Sequence, residues 1–264
     1  MTRIRTLITK EFLDLARNRA ALVPVVLVTV LSLLLPFGIV VAVPLLTGRG
    51  LGQDADLVHV SAAAGLHPEL PGGARVQLFL FQQFLMLFLL TPITGAMALA
   101  AHAIVGEKQA RTLEPLLATP ITTFELLAAK VFGALMPTLA ISAAGLAIYM
   151  AGIAAFAAPG VASAMASART LVLIVLVGPA AALVSLQSAI LISSRVNDAR
   201  TAQQFGVLII LPLTGILVAQ FTGSLWLSAM TLGMIGLALL GVWALLTLLS
   251  VAVFEREAIL TRWR

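Results

Sequence analysis

The chain contains no cysteine, so disulfides, thiolate metal sites and cysteine nucleophiles are excluded. Charge is scarce as well. Asp, Glu, Lys and Arg make up 10% of the 264 residues, against roughly 25% in soluble domains, too little polar surface for a water-facing globule. Catalytic signatures are also missing: there is no H-E-x-x-H pair, no G-x-S-x-G elbow and no G-x-x-x-x-G-K-[ST] phosphate loop. ATP hydrolysis is therefore not expected of this chain. No Asp, Glu, Lys or Arg falls clearly in the middle of an apolar block, which disfavours an ion-coupled carrier, although unwound backbone can bind ions too.

What is abundant is apolar. Hydrophobic residues make up 61% and the mean hydropathy is +1.09. They lie in long blocks, the pattern of helices that face lipid. Open sheets would leave edge amides unsatisfied in hydrocarbon, and closed barrels would show short alternating strands. The expectation is an all-α polytopic membrane protein of six transmembrane helices in one domain, 1–264. The spans are expected at 20–46, 76–105, 123–156, 170–194, 202–221 and 225–254. Pro24, Pro36 and Pro44 predict kinks or a break in the first span. An external loop over 47–75 is rich in Gly, Pro and Asp and is expected to hold a short helix near 57–65. Thr222, Gly223 and Ser224 make a tight turn between the last two spans.

Residues 1–19 read as an amphipathic helix, with Ile4, Leu7, Ile8, Phe12 and Leu15 on one face, though Leu13 breaks the pattern. Arg3, Lys10, Asp14, Arg17 and Asn18 lie mostly elsewhere. Such a helix suits the membrane interface, with a plain cytoplasmic helix as the alternative. These residues are too polar, and the block after them too long, for a cleavable signal peptide.

The net charge of +5 and pI near 10.7 are not a nucleic-acid signature, because the cations cluster at the ends of apolar blocks. Thirteen Lys and Arg fall in the N-terminus, the connections after spans two and four, and the C-terminus; only Arg49, Arg75 and Arg169 fall on the other side. The imbalance predicts cytoplasmic termini and an even number of spans in a plasma (inner) membrane. His59 and His67 share the external loop with Asp54, Asp56 and Glu69, but their spacing fits no standard metal motif. His102 reads as an interhelical hydrogen-bonding group. Within the spans Gln82, Gln83 and Gln187 are either interhelical hydrogen-bonding groups or weak candidates for a substrate pathway. Gly95, Gly233, Gly236 and Gly241 permit close helix packing.

The segment after the second span, GEKQARTLEPLLATPITTFELLAAK, is unusual for a loop. Thr112 can cap a short helix with Pro115 in its first turn, and Thr119-Pro120 stops it. Thr122 and Glu125 form a capping box for the next helix. Leu113, Leu116 and Leu117 make an apolar ridge ringed by Glu107, Lys108, Arg111 and Glu114. Such a ridge fits a groove in a partner protein, and it fits a lipid interface equally.

The run Val105-Gly106-Glu107-Lys108, then Arg111-Thr112-Leu113-Glu114-Pro115-Leu116-Leu117-Ala118-Thr119-Pro120, resembles the signature of ABC-2 type permeases. Lys10-Glu11-Phe12 with Arg17-Asn18-Arg19 resembles that family's elbow helix, and 193–204, ending Ala202-Gln203-Gln204, its second cytoplasmic loop. Gln109-Ala110-Arg111 departs from the family pattern, which often has a charged residue and then Gly. The resemblance implies the permease subunit of an ABC exporter. Its coupling helix, here Glu107, Lys108, Arg111, Thr112, Leu113, Glu114, Leu116, Leu117, Thr119 and Pro120, would seat on a separate ATPase. Two copies of that ATPase, holding ATP and Mg, would pair with two copies of this chain or with a related permease. The chain itself would bind no cofactor and no nucleic acid. The alternative is a stand-alone carrier or an intramembrane enzyme without a recognisable motif.

Overall fold

The computed structural model describes residues 9, 13, 19–65, 67–109, 123–193, 196, 201, 204 and 207–253. Among the described residues every regular element is helical. In chain order these are α1 (Arg19–Phe37), a π turn (Gly38–Ala42), α2 (Val43–Thr47), a 3-10 turn (Leu51–Gln53), α3 (Ala55–Ala63), α4 (Gly72–Phe88) and α5 (Leu90–Gln109). There follow α6 (Thr123–Phe156), α7 (Val161–Met165), α8 (Ala168–Val172), a second π turn (Leu173–Val177), α9 (Gly178–Ser193), α10 (Val207–Phe221) and α11 (Ala229–Val253).

Among the described residues, five stretches are long and apolar enough to cross a membrane: Leu22–Thr47, Gly72–Gly106, Glu125–Phe156, Ala168–Ser193 and Ala229–Val251. The remaining expected span, 202–221, is represented among the described residues by the 15-residue α10. The elbow segment lies outside the described residues apart from Thr9, Leu13 and Arg19.

The expected break in the first span is instead a π turn. Val43 N–H reaches Gly38 O, five residues back, and Pro44 follows at once. A proline ring collides with the carbonyl four residues earlier, and the widened turn makes room for it without ending the helix. The fourth span repeats the device: Gly178 N–H bonds Leu173 O and Pro179 comes next. Gly48, at φ +67°, then closes α2 in the left-handed conformation that glycine tolerates.

The second span (α4 and α5) sits at the centre of the bundle and the fourth packs most extensively against it, while the first and last spans turn apolar faces outward. Lipid does not drive helices together, so packing and hydrogen bonds must. Three neighbours donate into the backbone of the second span. Tyr149 Oη reaches Phe81 O at 2.7 Å, Ser185 Oγ reaches Ile93 O at 3.0 Å and Lys130 Nζ reaches Ala103 O at 3.2 Å. Lys130, counted from sequence in a connection, thus lies buried inside the third span. Glycines allow the closest approaches: a Cβ at Gly236 would meet Leu176 Cγ at 2.6 Å, and one at Gly95 would meet Thr138 Cγ2 at 2.9 Å. Gly233 and Gly241 face open space.

At one end of the bundle Asp54 caps α3, its Oδ1 accepting from the amides of Asp56 and Leu57 at 3.1 Å. Arg75 holds the following loop by donating to Pro68 O and Leu70 O, both at 3.1 Å. This is the loop end; α5 ends at Gln109 and α6 begins at Thr123 at the opposite end.

Candidate functional site

Two constructions inside the bundle stand out. The first is a polar clasp at the loop end. Ser167 caps α8 by accepting from Thr170 N–H, and Arg169 follows in the first turn. The Arg169 guanidinium donates to Gln82 Oε1 from α4, to Gln220 Oε1 from α10 at 3.3 Å, and to Leu227 O at 3.0 Å. It also lies 4.0 Å above the Trp226 ring, which stacks on Phe79. One side chain therefore ties four segments together. Every acceptor is neutral, and among the described residues Arg169 makes no ion pair. Gln220 is fully buried and its Nε2 has no partner among the described residues; it borders a small hollow of about 20 Å³ beside Trp226. Sequence counting treated Arg169 as a loop cation just outside the fourth span. It lies at the second residue of that span, turned inward.

The second construction is a cavity of about 250 Å³ at mid-span. Its walls come from the α4–α5 junction (Leu85, Phe88, Leu89, Pro92), from α6 (Leu139 to Leu146), and from the second π turn with Gly178 and Pro179. The junction has a chemical origin. Leu89 N–H bonds Met86 O at 3.2 Å, a tightened three-residue turn, and Pro92 brings no amide to the next turn. Ser142 is the sole lining residue with a polar side chain.

The coupling residues expected from sequence fall largely outside the described residues. Helix α5 carries the backbone of Glu107 and Lys108 to Gln109, and α6 resumes at Thr123 with Glu125 in its first turn. Arg111, Thr112, Leu113, Glu114, Leu116, Leu117, Thr119 and Pro120 lie in between, outside the description. Of the three candidate pathway glutamines, Gln82 serves the clasp and Gln187 Nε2 donates to Ser250 Oγ at 2.8 Å. Gln83 is fully buried with neither amide atom paired among the described residues. On the external loop His67 Nδ1 meets Glu69 Oε1 at 2.5 Å, and among the described residues no group of three His, Asp or Glu side chains converges as metal ligands would.

The family model described as ABC-2 family transporter protein matches residues 5–234. The chain belongs to the ABC-2 transporter family. No curated protein matches it. The matched stretch takes in the clasp, the cavity and all of 106–122, and it ends within α11. This ABC-2 protein is accordingly a multi-pass membrane transport protein, and permeases of its family generally pair with ABC ATPase subunits. The clasp was missed because hydropathy counts Arg169 as a loop charge. The cavity had one legible sign, the Gly178-Pro179 pair inside an apolar block.

Proposed function

We propose that the chain is the permease subunit of an ATP-driven exporter, one of two copies that work with two copies of a separate ATPase. The family match over residues 5–234 carries the reading. Six spans cross the plasma membrane, α10 being the described part of the fifth, and the entire chain is one transmembrane domain. Both termini and the 106–122 segment face the cytoplasm, following the imbalance of Lys and Arg. The loop end, with Arg169 and the His67–Glu69 pair, then faces outside. ATP and Mg belong to the partner, because the chain has no phosphate loop.

Force enters through the coupling helix. Leu113, Leu116 and Leu117 seat in a groove of the ATPase, and Glu107, Lys108, Arg111 and Glu114 fix their register at its rim. Thr112 starts that helix, and Thr119 with Pro120 ends it. Among the interior glutamines, Gln83 has the uncommitted amide and is the one available to a passing substrate.

The test is co-purification. Leu113→Asp and Leu117→Asp each put a charge into the apolar contact and should remove the co-expressed ATPase from the tagged permease, while Ile148→Asn, on an exposed face of α6, should not. Full recovery of the ATPase with both Asp variants overturns the coupling assignment.

A further inference from the structure

Two spans lose regularity at one depth. The second span is tightened at Leu89 and lacks an amide at Pro92, and the fourth is widened over Leu173–Val177 before Pro179, while α6 runs past them as one continuous helix. The 250 Å³ cavity fills the space these departures open, with Leu89 and Ala143 both near the middle of their spans. Its mouth is at Ala143, which is exposed, and the flank of α6 around it shows Met136 and Ile148 to the surroundings. If this flank stays uncovered by the second copy, its surroundings at that depth are hydrocarbon, and an occupant entering there comes from the bilayer.

Ser142 tells what the occupant carries. Several helical hydroxyls in this bundle satisfy themselves one turn back: Thr138 Oγ1 donates to Ala134 O at 2.8 Å, Thr29 to Val25 O at 2.8 Å and Thr247 to Trp243 O at 2.9 Å, whereas Thr91, away from the cavity lining, is unpaired among the described residues. Ser142 does not do so either. It is 8% exposed, it lines the cavity, and its Oγ has no partner among the described residues. A water molecule needs two to four polar partners, and Ser142 is the sole lining side chain that offers one. A plain acyl chain would fill the space and leave the hydroxyl unpaired, an outcome buried polar groups avoid.

We propose that this cavity binds the transported substrate, a membrane-dissolved amphiphile with an apolar body and one hydroxyl or carbonyl group that pairs with Ser142. The substrate role rests on the permease reading above. The substrate enters sideways past Ala143, and the irregular turns around it are the places where the spans can shift to release it.

The probe is a sixteen-carbon primary alcohol bearing a diazirine, compared with the matching diazirine alkane. Both are photolysed with the permease–ATPase complex in phosphatidylcholine nanodiscs, and adducts are mapped by mass spectrometry. Adducts of the alcohol should concentrate at 85–92 and 139–146. Ala143→Trp should cut them at least tenfold, while Ile148→Trp, on the same helix outside the cavity, leaves them unchanged. Ser142→Ala should lower alcohol labelling about three- to tenfold, the worth of one hydrogen bond, and spare the alkane. Trapping the ATPase with vanadate should reduce labelling severalfold in the parent. Labelling indifferent to Ala143→Trp, or an alcohol preference that survives Ser142→Ala, overturns the site. Labelling that meets both tests but ignores the vanadate trap overturns the substrate role and leaves a structural lipid. Failure of the permease reading is seen separately, as absence of an ATPase in the purified complex.

Discussion

Replacing Arg169 with Met keeps an unbranched stem in the space but removes every donor of the clasp. The guanidinium makes three hydrogen bonds to neutral acceptors and sits on Trp226. Hydrogen bonds to a charged group contribute about 1.5–3 kcal/mol each, and a partly desolvated cation–π contact about 1–2 kcal/mol. Against this gross gain stands the desolvation of a cation with no carboxylate to offset it, worth several kcal/mol. The variant relieves that penalty but strands the carbonyl oxygens of Gln82 and Gln220, whose side chains are buried, at about 1–3 kcal/mol each. The stranding decides the sign, and Arg169→Met should destabilise by roughly 2–4 kcal/mol. The same arithmetic makes a sharper claim about the triple variant. Adding Gln82→Leu and Gln220→Leu removes the orphaned amides, so at least half of the loss should return. The assay is reversible unfolding in mixed micelles titrated with dodecyl sulfate. A single variant within about 0.5 kcal/mol of the parent, or a triple variant no better than the single, refutes the clasp as a structural tie.

Gly152→Val should destabilise by about 1–3 kcal/mol in the same titration, because a Cβ there falls 2.5 Å from Phe37 Cζ, in a ring packed among Phe81, Tyr149 and Phe156. Tyr149→Phe keeps the ring packing and loses only the bond to Phe81 O, so its effect should be near 1 kcal/mol and clearly smaller. The Glu69 carboxyl is held below its usual 4.5 by a hydrogen bond accepted from its own backbone amide and then by His67. Its contribution is therefore complete above about pH 4.5 and is lost as pH falls through the lowered folded value; Glu69 carboxyl carbon NMR should show the depressed titration, and His67→Ala should move it upward.

Hydropathy made much of the architecture legible, since in lipid a continuous apolar block has no alternative to a helix. The turn at Thr222 to Ser224 was readable for the same local reason: Gly223 takes φ +70° there, and the amides of Ser224 and Leu225 both bond back to Ala219 O. What escaped the sequence depends on partners distant in the chain. Lys130 and Arg169 each sit within a turn or two of a span's end, where hydropathy assigns cations to water. The structure turns both inward, because carbonyls of the second span and of the turn before α11 meet them there. The prolines were legible as disturbances but not as π turns, since the choice between a kink and a widened turn is made by the neighbours that hold both halves of the helix in line.

These placements bear on how a push at 106–122 would travel. The second span is gripped at three depths, by Lys130 near that segment, by Ser185 at mid-height and by Tyr149 toward the loop end, where Arg169 also holds Gln82. Helix α5 is therefore coupled to α6 and α9, and α4 is coupled to α6 through Tyr149 and to the clasp. Between them the ladder is tightened at Leu89, and Pro92 supplies no amide to restore it. Any relative motion of the two segments costs least at that turn, because bending elsewhere would break regular helical bonds. The Leu89 junction forms one wall of the cavity that holds Ser142. On the proposed arrangement, the motion that nucleotide binding imposes on the cytoplasmic end of α5 changes the shape of that cavity first, before it reaches the clasp.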